Sequence, residues 1–109
     1  MSKKIYVTLD IGRNPEVRVD QVIWGKRKMK WVQDKDSIDF EFVDVKDLPE
    51  VGFNKKVDDK EIEVTDGMIA GDYEYTIVVV TPDGKEYTTT ELVENVGADP
   101  DERKPVIRN

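Results

Sequence analysis

The chain of 109 residues contains neither cysteine nor histidine. Without cysteine no disulfide can form, so packing and hydrogen bonding alone must hold the fold together. The two absences remove the usual protein ligands of zinc, copper and iron. They also remove the Cys–His and Ser–His pairs of nucleophilic catalysis. We therefore expect a protein that is not an enzyme and that has no catalytic residue, no bound metal and no cofactor.

Long hydrophobic runs are absent as well. A membrane-spanning helix needs about 18 or more apolar residues in a row, and no such stretch occurs. The N-terminal residues MSKKIYVTLD have the positive start of a signal peptide but neither its apolar segment nor a small-residue cleavage site. These features predict a cytoplasmic protein with no membrane partner.

Charged residues make up 38% of the chain, and the formal net charge is −7. Residues 1–35 contain nine Lys and Arg against four Asp and Glu, whereas residues 36–109 contain eight against twenty. An overall negative chain repels phosphate backbones, so we do not expect nucleic acid as a partner. The uneven distribution instead favours head-to-tail self-association, which added salt should weaken.

Apolar residues alternate with polar ones along most of the chain, as in "KIYVTLDI" (4–11), where Ile5, Val7 and Leu9 share one face. The segments with the same strand character are 17–23, 29–31, 38–42, 61–64, 73–80, 85–90 and 106–108. The apolar phase slips at Val43 and Val45, which predicts a bulge or a bend. Residues 81–84, "TPDG", suit a type I turn.

This pattern predicts a single all-β domain over residues 1–109, an antiparallel sandwich or barrel of about eight strands. Residues 48–54 have the composition of a loop, and residues 91–96 could form one or two helical turns.

Two segments carry a family resemblance: "GKRKMKWVQDKDSIDFEF" (25–42) and "GDYEYTIVVV" (71–80). They resemble the strands that lead to the copper ligands in the small cupredoxins, which are blue-copper proteins. The resemblance implies a Greek-key β-sandwich. It places the copper-ligand positions at Asp39, Ile77 and Val80 and near Asp83, so all the copper ligands are missing. It therefore implies the fold without the electron-transfer activity. An immunoglobulin-like or fibronectin-like sandwich would suit the same strands and turns and stays open.

The segment "IWGKRKMKW" (23–31) supplies the candidate binding surface: Trp24, Lys26, Arg27, Lys28, Lys30 and Trp31. Exposed indole rings could stack on a ligand while the cations attract phosphate. Alternatively, the segment is a hairpin that turns at Gly25, carries its cations at the tip and places at least one tryptophan in the core. The resemblance puts Trp31 on a central strand with an inward ring.

We therefore expect a metal-free binding or structural module whose partner is an unknown protein or a second copy of the chain. Binding of carbohydrate or peptide through an aromatic face of Trp24, Trp31 and the tyrosines is a second hypothesis. Weak binding of a polyanion through a basic hairpin at 26–30 is a third.

Overall fold

The structure, a computed structural model, describes residues 2–11, 16–89 and 105–109, and these residues form strands and connections with no helix. The strands are β1 (Lys3–Asp10), β2 (Glu16–Arg18), β3 (Val22–Trp24), β4 (Lys28–Gln33), β5 (Glu41–Lys46), β6 (Phe53–Val57), β7 (Glu61–Asp66), β8 (Asp72–Glu74), β9 (Thr76–Val80), β10 (Glu86–Thr88) and β11 (Val106–Arg108). The prediction of an all-β protein is confirmed for this part of the chain.

The strands form one five-stranded sheet and two three-stranded sheets. Their orders are β2-β1-β4-β7-β6, β10-β9-β5 and β3-β11-β8. Strands β8 and β9 are separated only by Tyr75, so one extended segment contributes to both of the smaller sheets. The Tyr75 N–H donates to the Pro105 carbonyl at 3.0 Å, which ties this junction to the start of β11.

Two strand pairs are parallel, β1 with β4 and β3 with β11, so the prediction of an antiparallel architecture is wrong for them. Alternation has a period of two residues in either direction of pairing and therefore carries no information about strand direction. Parallel neighbours need a long connection, and the chain between β1 and β4 supplies one by passing through β2 and β3.

The three sheets share one hydrophobic core, an arrangement compatible with a β-sandwich. Each long strand contributes alternate residues to it, as Ile5, Val7 and Leu9 do from β1. In β9 the burial extends to both faces, which agrees with its place between β5 and β10.

Trp31 and Tyr75 lie at the centre of this core and are both 0% exposed. The Trp31 Nε1–H donates a hydrogen bond to the Tyr75 hydroxyl at 3.2 Å, and the rings meet edge to face with centroids 5.3 Å apart. This contact joins β4 of the large sheet to the β8–β9 segment of the smaller ones. Burial raises the pKa of the Tyr75 hydroxyl far above its usual range, and the hydrogen bond from Trp31 offsets only part of that effect.

The bulge and the turn that the sequence predicts are both present. The pairing of β5 with β9 shifts register between Phe42 and Asp44, and the Gly84 N–H bonds to the Thr81 carbonyl at 2.9 Å. The predicted helical segment, 91–96, lies outside the described residues. The loop expected at 48–54 ends early, because β6 begins at Phe53.

Strand β6 does not show the apolar alternation, because Lys55, on the same face as the buried Phe53, is charged and exposed. Lys55 lies opposite the buried Val64 of β7, yet it is a lysine. Its ammonium reaches across to β5 and binds the Asp44 carboxylate at 2.7 Å and the Val45 carbonyl at 3.1 Å. Because a charged residue occupies this position, hydrophobic alternation does not identify β6 as a strand.

We predict that Tyr75→Phe destabilises the fold by about 1–3 kcal/mol, because it leaves a buried indole N–H without its acceptor. Urea unfolding followed by circular dichroism measures the loss. Tyr87→Phe is the matched control, since Tyr87 is also buried and its hydroxyl makes no hydrogen bond to a described residue. Equal losses in the two variants would contradict a special role for the Trp31–Tyr75 bond.

The same pair predicts a dependence of stability on alkaline pH. The unfolded chain releases the Tyr75 proton near pH 10, whereas the folded chain retains it because burial raises the pKa. The free energy of unfolding should therefore be undiminished below about pH 10 and should fall as the pH rises above that value. Tyr75→Phe should flatten this decline, and an unchanged slope would contradict the prediction.

Candidate functional site

Residues 23–31 do not form a hairpin, which is one of the two interpretations that the sequence allows for this segment. Strand β3 pairs with β11 in a small sheet, whereas β4 pairs with β1 and β7 in the large one. Residues 25–27 therefore cross from one sheet to the other. A glycine followed by cations suits a hairpin tip and a crossing equally well, so the sequence could not separate the two.

The crossing is held at Gly25 by a close approach of Asn109. The Gly25 N–H donates to the Arg108 carbonyl at 2.7 Å. A Cβ atom on Gly25 would lie 1.7 Å from the Asn109 Oδ1 and 2.9 Å from the Asp66 Oδ2, so no larger residue fits without a rearrangement. The Asn109 Nδ2 in turn donates to the Asp66 Oδ1 at 2.9 Å. We call this set of contacts the Asn109 clasp.

The clasp fixes the position of Gly25 and therefore of the residues on either side of it in the chain. Because Gly25 is fixed between the end of β11 and the end of β7, Trp24 remains on the small sheet while Lys28 begins the large one. Trp24 is 67% exposed, and Lys26, Arg27 and Lys28 are exposed beside it in the chain.

Trp24 lies on the outer face of the β3-β11-β8 sheet. Its register partner on β11 is Arg108, whose own partner on β8 is Asp72, and the Arg108 Nε lies 3.6 Å from the Asp72 Oδ2. Val22 shares the outer face of β3 with Trp24, because the residue between them, Ile23, points into the core. An indole ring therefore stands in solvent beside an ion pair and a valine.

Two of the expected surface residues are elsewhere. Trp31 is 0% exposed and fills the core, so it cannot present its ring to a ligand. Lys30 points outward from the middle of the large sheet, and its ammonium lies 3.9 Å from Glu61 and 3.8 Å from Glu63 on the neighbouring strand. The surface that remains, which we call the Trp24 surface, consists of Val22, Trp24, Lys26, Arg27 and Lys28.

The cations of the Trp24 surface are not neutralised locally. Within residues 2–11, 16–89 and 105–109, none of Lys26, Arg27 and Lys28 forms an ion pair. Two carboxylates of neighbouring strands are engaged with other residues, since Asp66 accepts a hydrogen bond from Asn109 and Asp72 pairs with Arg108. Three consecutive cations without a described ion pair thus follow the exposed Trp24 closely in the chain.

The copper-ligand positions implied by the family resemblance only partly converge. Asp39 and Val80 line the same cavity of about 200 Å³, whose other lining residues are Phe40, Glu41, Thr81 and Pro82. Ile77 is 0% exposed and belongs to the core instead. Asp83 lies in the adjacent turn, where a hydrogen bond from the Thr81 hydroxyl lowers the pKa of its carboxyl.

Neither a metal centre nor a membrane-spanning helix is found in the described ranges. No three residues of the metal-binding types Asp, Glu, His and Cys are grouped there so that they could hold an ion. None of the described residues belongs to a helix long and apolar enough to cross a bilayer.

No protein-family model matches the chain, and no curated protein shows significant similarity to it. The Trp24 surface and the cavity beside Asp39 are thus defined by their own geometry and charge.

We predict that Gly25→Ala destabilises the protein by about 1–3 kcal/mol, since the added methyl group overlaps the Asn109 amide. Chemical unfolding of Gly25→Ala, Asn109→Ala and the double variant measures the coupling between the two sites. The double variant should lose less than the sum of the single losses, because Asn109→Ala removes the nearest obstacle to the new Cβ. Strictly additive losses would show that the clasp is not the source of the strain.

Proposed function

We propose that the protein is a metal-free, cupredoxin-like Greek-key β-sandwich that acts as a non-enzymatic binding module for a protein partner. The shared core of the three sheets supports the sandwich. The meeting of Asp39 and Val80 at one cavity supports the cupredoxin-like register, because the resemblance assigns a copper-ligand position to each of them. Ile77 does not support that register, since it lies in the core.

The exposure of Trp24 is the observation that carries the proposed function. Leaving an indole 67% exposed forgoes the free energy that its burial would provide, so a partner that covers the ring gains that energy on binding. Tryptophan and arginine are the residues most enriched at the energetic centres of protein interfaces, and Arg27 and Arg108 both lie close to Trp24 in the chain or the sheet.

A protein partner fits the surface better than a carbohydrate does. The carbohydrate hypothesis requires a face shared by Trp24, Trp31 and the tyrosines, and the structure does not bring these rings together on one face. Tyr75 and Tyr87 are buried, and the Tyr73 hydroxyl donates to the Ile69 carbonyl at 3.0 Å. Tyr6 is exposed on a different sheet, in an open groove of about 410 Å³ that it shares with Thr8, Arg18, Val19, Asp20 and Asp34.

A polyanion is the weaker alternative. The basic hairpin at 26–30 on which that hypothesis rested is absent, and Lys30 is held by two glutamates. Three cations remain, in a chain of net charge −7. Because each phosphate contact adds only a salt-sensitive increment, three of them give weak binding.

We predict that an acidic peptide shifts the fluorescence of Trp24, whereas neutral oligosaccharides do not. Trp31 is buried and provides a constant background, so the change reports the Trp24 surface. The measurement titrates the protein with an acidic peptide, a basic peptide of equal length, an oligosaccharide panel and heparin.

Trp24→Phe is the control for this titration, because it removes the reporting ring and retains the three cations. A response to the oligosaccharides alone would contradict the proposal in favour of a carbohydrate site. A response to heparin without one to any peptide would favour a polyanion site. No response to any of the probes would remove the Trp24 surface as a binding site.

We also predict that cupric ion produces no intense blue absorption band and no tight stoichiometric complex. The residues at the implied ligand positions, Asp39, Ile77 and Val80, provide neither a thiolate nor an imidazole. Absorption spectroscopy during a Cu²⁺ titration tests this prediction. A blue band would contradict the metal-free assignment while leaving the fold unaffected.

A further inference from the structure

The two ends of the molecule carry opposite unpaired charge. We call residues 24–28 the basic end. We call the segments 34–41, 58–61 and 81–86 the acidic end; each consists of a connection and the first residue of the strand that follows it, and of their carboxylates only that of Glu61 is in a described ion pair, with Lys30. Strand β4 starts at the basic end and runs for six residues, about 17 Å, to the segment 34–41. The pairing of Val32 with Glu61 and of Glu41 with Val80 brings the other two segments to the same end as that one.

The acidic end has a clear excess of carboxylates. Its three segments contain nine Asp and Glu residues and three lysines. Asp39 and Glu41 are both exposed at the cavity of about 200 Å³, and neither forms an ion pair with any residue that the structure describes. The cavity also has an apolar side, formed by Phe40, Val80 and Pro82.

The basic end complements this cavity in both charge and polarity. It presents an indole ring next to three cations, whereas the cavity presents apolar side chains next to two carboxylates. A contact between them would pair Lys26, Arg27 and Lys28 with Asp39 and Glu41 and would cover the Trp24 ring. Both halves of such a contact exist on every copy of the chain.

We infer that the partner of the Trp24 surface is a second copy of this chain, docked head to tail with its acidic end on the first copy's basic end. This inference rests on the proposed binding function and identifies its partner. The contact is heterologous, so each dimer leaves one basic and one acidic end free, and assembly continues into open chains unless the rotation closes a ring.

The sign of the salt dependence separates this contact from a symmetric one. If two Trp24 surfaces met each other, six unpaired cations would face across the interface, and salt would strengthen association by screening their repulsion. In the head-to-tail contact opposite charges meet, so salt weakens association. The two arrangements therefore respond to salt in opposite directions.

The experiment uses sedimentation velocity and light scattering on the full chain, from low ionic strength up to about 1 M, where the Debye length is about 3 Å. We expect concentration-dependent oligomers at low salt that dissociate as salt is added. Trp24→Ala should weaken association about tenfold or more while keeping the direction of the salt dependence.

Two charge-reversal variants provide the decisive step. One carries Lys26→Glu, Arg27→Glu and Lys28→Glu, and the other carries Asp39→Lys and Glu41→Lys. Each variant alone brings like charges together at the proposed contact and should be monomeric. An equimolar mixture restores opposite charges and should associate again. Lys56→Glu, on the outer face of the large sheet, is the matched control and should behave as the unaltered chain does.

Each remaining outcome contradicts the inference. A chain that stays monomeric at every salt concentration overturns it, and so does association that strengthens with salt or a mixture of reversal variants that stays monomeric. The fluorescence titration keeps this failure distinct from failure of the proposed function. If an acidic peptide binds at Trp24 but the chain does not self-associate, the binding module stands and its partner is another acidic protein.

Discussion

The hydrogen bond between the Trp31 indole and the Tyr75 hydroxyl lies between the sheets, and the arrangement of the molecule depends on it. Each of these side chains carries one polar group into a core that is mostly hydrocarbon, and the two groups bond to each other. A buried polar pair of this kind favours a single strand register. A shift of one residue would leave both polar groups buried without a partner, so the shifted registers are less stable. Trp31 on β4 and Tyr75 before β9 are therefore fixed opposite each other, and the large sheet is aligned with the smaller ones.

Fixing Trp31 inward has a consequence for Trp24, seven residues earlier. If one continuous strand joined the two, an odd separation would place them on opposite faces, but this chain changes sheets at Gly25 between them. The Asn109 clasp holds that change in place, with Gly25 bonded to the end of β11 and packed against Asn109. The exposed position of Trp24 thus follows from backbone contacts that the core and the clasp determine together. A site built on such fixed elements loses little conformational entropy on binding.

Much of the fold could be predicted from the apolar pattern, since the buried residues of β1 and β4 are apolar and most of their outward neighbours are polar, while β9 is apolar on both faces. Strand β6 could not, because Lys55, on the same face as the buried Phe53, is charged and exposed and pairs with Asp44 of β5. Strand direction could not be predicted either, because alternation is the same in parallel and antiparallel pairs. For the candidate site, the sequence indicated the right segment and the family resemblance put the Trp31 ring inward, but alternation alone did not divide its residues between core and surface. Trp24 and Trp31 have similar polar neighbours in the chain, and only the pairing of β4 with β1 and β7 shows which of them is enclosed.

The strand topology determines which of the unevenly distributed charges of the sequence lie next to each other. Net charges of +5 over residues 1–35 and −12 over the remainder could have cancelled across neighbouring strands, and in the large sheet they partly do, where Lys30 faces Glu61 and Glu63. Lys26, Arg27 and Lys28, in the crossing between sheets and at the start of β4, form no ion pair with any described residue, and neither do Asp39 and Glu41 beyond the far end of β4. Pairing between strands neutralises only part of the charge of the large sheet, since Lys4 and Lys56 also form no ion pair with a described residue. The excess charges at the two ends of β4 have opposite sign. This separation of charge gives the molecule a direction that its nearly regular pattern of strands alone would not provide.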